Sequence, residues 1–319
     1  MGSIRYAVAG KGIDQSLSPL LFQLVAHHLN LSETINTDIV EAEAIEDALA
    51  WGYAGTTPMP RDYFYTDAPL NKFRTKTLVQ KCFEALDEPL DLPPESLRIT
   101  EVEPAPFTIN STVPQSFDHE EIWMNLTTPL KHQLHSVAVN YIDNSMDTRS
   151  VNTLRWDGNT WWCLSTDGIG MMRVLIHRGI SPHDCVGLIG GGSAARSFAS
   201  TWVEAGGSIH WVAGKRELDE RFLSQRGEDP ACYVIFEDHD VKLDQKPQFH
   251  ARYEPDADLD MLLTQDQTSF DGRWMLVAQH LESWKHLWCP QRSGDLPSIE
   301  VLLAKLIQAE LTLRSYKRS

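Results

Sequence analysis

Residues 185–214, CVGLIGGGSAARSFASTWVEAGGSIHWVAG, constrain the fold more than any other stretch of this chain. A short apolar run breaks into three glycines, a helix-period segment follows, and a second apolar run closes the unit within thirty residues. Strand, glycine turn, helix and strand in that order are a βαβ unit, so the expected fold class is α/β.

Gly190, Gly192, Ser193, Ala194 and Ala195 fill a GxGxxA pattern directly after the first strand. Gly190 permits the tight turn, Gly192 lets the backbone approach a pyrophosphate, and the small Ala195 lets the helix sit close to the strand. The helix N-terminus then offers unpaired N–H groups to phosphate. An NAD site wants an acidic residue at the end of the next strand for the ribose hydroxyls. This strand ends in Lys215 and Arg216, with Glu217 beside them. Two cations favour the extra phosphate of NADP.

A length of 319 residues exceeds what one core usually organises, so two domains are expected. With 44 acidic against 28 basic residues the formal charge is −16, a field that repels nucleic-acid backbones and anionic lipid surfaces. A small molecule is the expected partner, with no nucleic acid and no membrane. The five cysteines, Cys82, Cys163, Cys185, Cys232 and Cys289, are odd in number and widely spaced, which fits a reducing cytoplasm better than a disulfide framework. The start, IRYAVAG, is too short for a signal peptide, and no apolar run reaches the ~20 residues that span a bilayer. His132 and His135 lie close together without a third ligand nearby, so no metal is expected. The ten tryptophans read as core or interface anchors, and a monomer or a homodimer fits equally.

Along the chain, IRYAVAG reads as a buried strand and LLFQLVAHHLNL as a helix opened by Ser18 at the N-cap and Pro19 at the first helical position. Nine of the seventeen prolines fall between Pro58 and Pro114, so the stretch from about 45 to 114 reads as an insertion of loops and edge pieces with one candidate helix, TKTLVQKCFEAL. IWMNLT is a strand candidate, and LKHQLHSVAVNYI has helical period. SVNTLRW and TWWCLS read as strands of a hairpin around Asp157-Gly158-Asn159. DGIGMMRVLIHRG reads as a helix ending on Gly179, ACYVIFED and QFHARYE as strands, and WMLVAQHLESWKHLW and SIEVLLAKLIQAELTL as helices.

Two polar turns carry chemistry. Lys131 follows a threonine-proline turn in NLTTPLK, and Asp167 sits in STDG. An alcohol oxidised by hydride transfer must lose its hydroxyl proton, so its site needs a base within hydrogen-bond reach and a group that orients it. An amine and a carboxylate from two turns can supply both, with the formal base left open between them. Ser16 and Ser18, in DQSLSP beside a helix N-terminus, can hold a small anion.

Taken together, these stretches resemble the shikimate dehydrogenase family. SLSP is similar to that family's SxSP, NLTTPLK to NVTVPFK, SVNTL to AVNTL, STDGIG to NTDGxG, GGGSAAR to GAGGAxR, HARYEP to DxxYxP and GRWMLVAQ to GxxMLVxQ. The resemblance implies an α/β protein of two domains: an N-terminal substrate domain, and a Rossmann-type NADP-binding domain followed by C-terminal helices that return to the first. The expected boundaries are 1–160 plus 275–319 and 161–274. It further implies NADP-linked interconversion of shikimate and 3-dehydroshikimate, with Lys131 and Asp167 as the catalytic pair. Ser16 and Ser18 would hold the substrate carboxylate, Thr127, Asn152, Tyr253 and Gln279 its other oxygens. Gly190, Gly192, Ser193, Ala194, Lys215 and Arg216 would face NADP.

Departures from the family pattern are specific. Gln15 stands where the family has His, Ser165 replaces the Asn of NTDG, Trp274 takes the place of a glycine near the nicotinamide, and no NATSxG segment lies between Arg216 and Tyr253. A tryptophan at 274 is expected to obstruct the nicotinamide ring. On the same fold, a non-catalytic binder of shikimate-type ligands, or a dehydrogenase for another hydroxy ring carboxylate such as quinate, is the alternative.

Overall fold

The apolar run Ile4–Gly10 forms strand β1, buried at every position. The computed structural model describes residues 3–13, 16–31, 35–53, 120–134, 139–223, 229–254, 257–263 and 268–318. β1 pairs in parallel with β2 (Ile35–Glu41) on one side and β3 (Glu121–Leu126) on the other. Between β1 and β2 runs helix α1 (Ser18–His28), and α2 (Ile45–Tyr53) follows β2. Neither β2 nor α2 was expected. The Asn36-Thr37-Asp38 core of β2 hides the apolar alternation of a strand, and α2 opens with Glu46 and Asp47, which suit the positive end of a helix. Most of the proline-rich stretch, with TKTLVQKCFEAL, lies outside the described residues.

The hairpin at Asp157-Gly158-Asn159 is present. β5 (Thr153–Trp156) and β6 (Trp161–Leu164) are antiparallel, Gly158 turns with φ 96°, and Asp157 Oδ1 accepts from the backbone N–H of Asn159 (2.8 Å) and Thr160 (2.9 Å). The helix expected across LKHQLHSVAVNYI does not form among its described residues. Leu130–His132 is a single 3₁₀ turn, and Val139–Tyr141 is strand β4, an edge strand parallel to β6, because a free sheet edge outcompetes a weak helical period. The first sheet therefore runs β2-β1-β3-β5-β6-β4. β6, which lies beyond the expected boundary at 160/161, is hydrogen-bonded into this sheet.

A short helix α3 (Ser145–Thr148) precedes β5, and α4 (Thr166–His177) follows β6, ending as expected with Gly179 at φ 83°. The βαβ unit is then realised as β7 (Cys185–Ile189), α5 (Ser193–Glu204) and β8 (Ser208–Ala213). With β9 (Tyr233–Ile235), β10 (Gln248–His250) and β11 (Ser269–Phe270) it builds an all-parallel sheet in the order β11-β10-β9-β7-β8. Helix α6 (Gly272–Ser283) packs against α4, continues into a π turn at Trp284–Trp288, and is followed by the terminal helix α7 (Ile299–Arg318).

α6 and α7 return the C-terminal chain to α1 and the first sheet. Phe22 stacks on Tyr6 with centroids 3.6 Å apart, and Trp284 and Trp288 close on Phe22 and Trp123. The Trp288 indole donates to the Leu154 carbonyl (3.1 Å). A buried pair fixes the same seam: Arg155 donates from Nε and Nη2 to both carboxylate oxygens of Glu121 (2.9 and 3.0 Å) and from Nη1 to the Leu287 carbonyl (2.9 Å). This fork-on-carboxylate arrangement satisfies charges that would otherwise be costly to bury. No described helix is long and apolar enough to cross a membrane.

Candidate active site

The two polar turns meet. Lys131 leaves β3 through the Thr128–Pro129 cis peptide and the 3₁₀ turn, which Leu130, fully buried, anchors and whose first hydrogen bond runs from Leu130 N–H to the Thr127 carbonyl (2.8 Å). Asp167 is the second residue of α4, where the helix dipole favours a carboxylate. Lys131 Nζ donates to Asp167 Oδ2 at 2.7 Å, and Asn152 Nδ2 donates to Asp167 Oδ1 at 2.9 Å. Asn152 is itself fixed, its Oδ1 accepting from the Thr166 backbone N–H (2.7 Å). Asp167 is 1% exposed and Lys131 17%, so the amine forms the open face of the pair.

Two glycines let α4 wedge between its neighbours. A Cβ at Gly168 would collide with the Ser197 carbonyl of α5, and one at Gly170 would lie 2.7 Å from the backbone nitrogen of Gln279 in α6. That second approach places half-buried Gln279 one helical turn along α4 from Asp167. Thr127 packs over Gly10, where any side chain would strike its methyl group.

At the start of α1 the expected cap is shifted. Leu17 holds the N-cap position, Ser18 and Pro19 are the first helical residues, and Ser16 Oγ accepts from the Ser18 N–H at 3.3 Å. The cap is made by the hydroxyl two residues before the helix because Leu17 already has near-helical backbone angles, φ −78° and ψ −11°. Tyr253 Oη accepts from the Leu17 N–H (3.2 Å), which ties the segment after β10 to this turn; burial pushes the Tyr253 phenol up to about 12, so it stays protonated. Trp274, expected near the nicotinamide, lies at the far end of α4 from Asp167. Its indole is 2% exposed, donates to the Leu262 carbonyl (3.2 Å) and packs beside His177, the residue that ends α4, whereas Asp167 lies ten residues earlier, roughly 15 Å along the helix.

On the glycine-turn side, Gly190 has φ 126°, a backbone conformation that disfavours any side chain, and Gly192 is the N-cap of α5 with open space where its Cβ would be. Gly191 also proves necessary, because a Cβ there would collide with the Arg216 carbonyl. Next to this turn lies a cavity of about 520 Å³ whose lining includes Arg149, Arg196, Arg216, Arg221, Asp147 and Asp219. His132, next to Lys131 in sequence, lines the same cavity. Lys215 is not part of this wall; its backbone N–H donates to Glu237 Oε1 (2.6 Å). Arg149, Arg196 and Arg221 went unnoticed in the sequence because basic residues scattered over 72 positions show no cluster until the chain folds; only Arg196 lies within a quoted motif.

This is a two-sheet α/β architecture, one sheet mixed and the other all parallel, carrying a Lys–Asp–Asn constellation. Two structures of similar fold are the shikimate 5-dehydrogenase of Thermus thermophilus in complex with NADP(H) and shikimate, with TM-score 0.59 at 18% identity, covering 96% of this chain and 99% of that one, and the shikimate dehydrogenase of Aquifex aeolicus, with TM-score 0.57 at 16% identity, covering 98% of each. In sequence, the chain is 39% identical over 87 residues to the shikimate dehydrogenase (NADP(+)) of Stenotrophomonas maltophilia (strain R551-3), and 28% identical over 113 residues to that of Alteromonas mediterranea. These alignments cover 26% and 35% of this chain, and it spans only 30% and 40% of the two relatives' lengths. No family model matches. The chain has the fold of these solved shikimate dehydrogenases, and a part of it is similar in sequence to curated ones.

Proposed function

We propose that this protein is an NADP-dependent dehydrogenase that interconverts shikimate and 3-dehydroshikimate, with Lys131 and Asp167 as the catalytic pair. The observation that carries the reading is the 2.7 Å contact between those two groups, delivered by separate turns and oriented by Asn152. A ring hydroxyl hydrogen-bonded to the pair loses its proton to it as the C–H bond breaks; Asn152 keeps the carboxylate from rotating away. Ser16 and Ser18 present hydroxyls at the start of α1, and Tyr253 is tied to the same turn. These groups suit a carboxylate on the ring. Thr127 and Gln279 offer further polar atoms to its hydroxyls.

The residues present fit a dinucleotide: Gly190 turns at φ 126°, Gly192 leaves space before α5, Ser193 and Ala194 open that helix, and Arg216 lines the adjacent cavity. Lys215, one residue earlier on the same turn, adds to the local positive charge. When bound, NADP supplies the hydride acceptor. Trp274, buried and bonded to the Leu262 carbonyl beside the far end of α4 from Asp167, supports an enzyme over a non-catalytic binder.

The test is a spectrophotometric assay of shikimate with NADP, repeated with NAD. Shikimate-dependent reduction of NADP that vanishes in Lys131→Ala is expected. Absence of turnover with shikimate, quinate and dehydroshikimate in the unmodified protein would refute the reading, and turnover of quinate alone would shift it to the sister substrate.

A further inference from the structure

Arg149 has a backbone that an arginine seldom adopts, with φ 49° and ψ 54° at the C-cap of α3. A left-handed conformation at a non-glycine residue costs on the order of 1 kcal/mol and persists only where the surroundings enforce it. Here they do. Arg196, from α5, donates through Nε to the Thr148 carbonyl (3.0 Å) and through Nη2 to the Arg149 carbonyl (3.3 Å), and Arg221 Nη2 donates to the Asp147 carbonyl (3.2 Å). Two arginines from the parallel-sheet half thus cap the last carbonyls of α3, a helix of the other half.

The Arg149 and Arg216 guanidinium groups have no such employment. Neither makes a hydrogen bond or ion pair with a described residue, yet both line the cavity beside the glycine turn. Asp219 is already committed to Arg221, through its Nε (3.2 Å) and backbone N–H (3.1 Å). Four guanidinium groups therefore face two carboxylates in a chain whose net charge is −16. The crowding is felt: Arg196 is pushed below the ordinary arginine value by burial first and then by Arg216 and Arg149. Such an arrangement lowers its energy by taking in an anion, and planar guanidinium forks match phosphate oxygens.

We infer that Arg149, supplied by the substrate-side half, and Arg216, supplied by the cofactor-side half, grip the same phosphorylated nucleotide across this cavity, so that phosphate binding also draws the two halves together. The inference rests on the dehydrogenase reading for the nucleotide's identity as NADP, and on the cavity alone for its phosphate chemistry. Arg149 becomes a cofactor-affinity residue that the glycine motif and the cations after β8 do not reveal.

The decisive variants are Arg149→Gly, which tolerates the left-handed backbone and keeps the turn intact, and Arg149→Lys, which keeps charge but loses the fork. Binding of adenosine 2′,5′-bisphosphate, inorganic pyrophosphate and NADP is measured by calorimetry, and KM for NADP and shikimate by kinetics. Expected in Arg149→Gly is about 10- to 100-fold weaker binding of NADP and of at least one of the two phosphate probes, the loss of a charge-assisted bond. KM for shikimate should be unchanged, the thermal midpoint unchanged or higher, and Arg149→Lys intermediate. Unmodified protein that binds NADP while Arg149→Gly binds it equally well overturns the inference and leaves the dehydrogenase reading intact. Binding of the phosphate probes without shikimate turnover does the reverse, and failure of the unmodified protein to bind NADP and both probes overturns the inference.

Discussion

Replacing Asp167 with Asn tests the centre of the site with almost no change in shape. The carboxylate accepts from Lys131 Nζ at 2.7 Å on one oxygen and from Asn152 Nδ2 at 2.9 Å on the other. An Asn oriented with its oxygen toward Asn152 keeps the second bond and turns an NH₂ toward the Lys131 amine, so one charged hydrogen bond is lost and two donors face each other. Removing one partner of a fully buried pair costs about 3–5 kcal/mol, but Lys131 is 17% exposed and can rehydrate, so about 2 kcal/mol of stability is the expected loss. The effect on turnover should be larger, since a positioned acid–base group contributes about 10²–10⁴ in rate, equivalent to roughly 3–5 kcal/mol of barrier. The assay is kcat for shikimate oxidation alongside urea denaturation of the same preparations. On the proposed reading Lys131 and Asp167 act as a unit, so the double variant Lys131→Ala/Asp167→Asn should be hardly slower than either single one. A kcat within about threefold of the unmodified protein's, in a variant that has lost the expected stability, would show that the pair is structural and refute the proposed role.

Gly168→Ala forces a methyl group into the Ser197 carbonyl, and an expected loss of about 1–3 kcal/mol should appear as a lower urea midpoint; an unchanged midpoint would mean that α4 and α5 are not pressed together as described. Asp143, which accepts from the Ser165 N–H (2.9 Å) and the Ser145 N–H (3.1 Å), is pushed by burial from 3.8 to about 6. Its folded value is raised, so its contribution is fully present below pH 3.8 and is lost as pH rises toward about 6, an amount of roughly 3 kcal/mol. Stability measured from pH 4 to 7 should therefore fall less steeply in Asp143→Asn than in the unmodified protein, and parallel curves would contradict the shift. His280, fully buried, is depressed by that burial from 6.5 to about 3, so its contribution is present above pH 6.5 and disappears as pH falls toward 3. His280→Leu should blunt acid unfolding over that window, as followed by tryptophan fluorescence.

Much of this protein was legible in its sequence where the signal is local. The GxGxxA turn, the helix behind it, the hairpin at Asp157-Gly158-Asn159 and the helix that starts on Thr166 and ends at Gly179 each depend on neighbours within one turn or one strand, and each forms. Periodicity failed at Val139–Tyr141 and Asn36-Thr37-Asp38, where pairing with a distant strand, β6 or β1, decided the backbone. Nor could spacing say that Trp274 would turn toward Leu262, a choice made by packing against the far end of α4.

The sequence by itself determined which chemistry the chain could carry: an amine after a proline turn, a carboxylate at a helix start, and glycines that leave backbone open to phosphate. Only the tertiary structure decided that the amine and carboxylate meet, because a gap of thirty-six residues between them closes through β5, β6 and the wedge of α4 between two helices. It alone also gathered Arg149, Arg196, Arg216 and Arg221 around one cavity. Local propensity is set by a few neighbouring residues, whereas the convergence of charges depends on how whole sheets and helices pack, and that information is distributed over the entire chain.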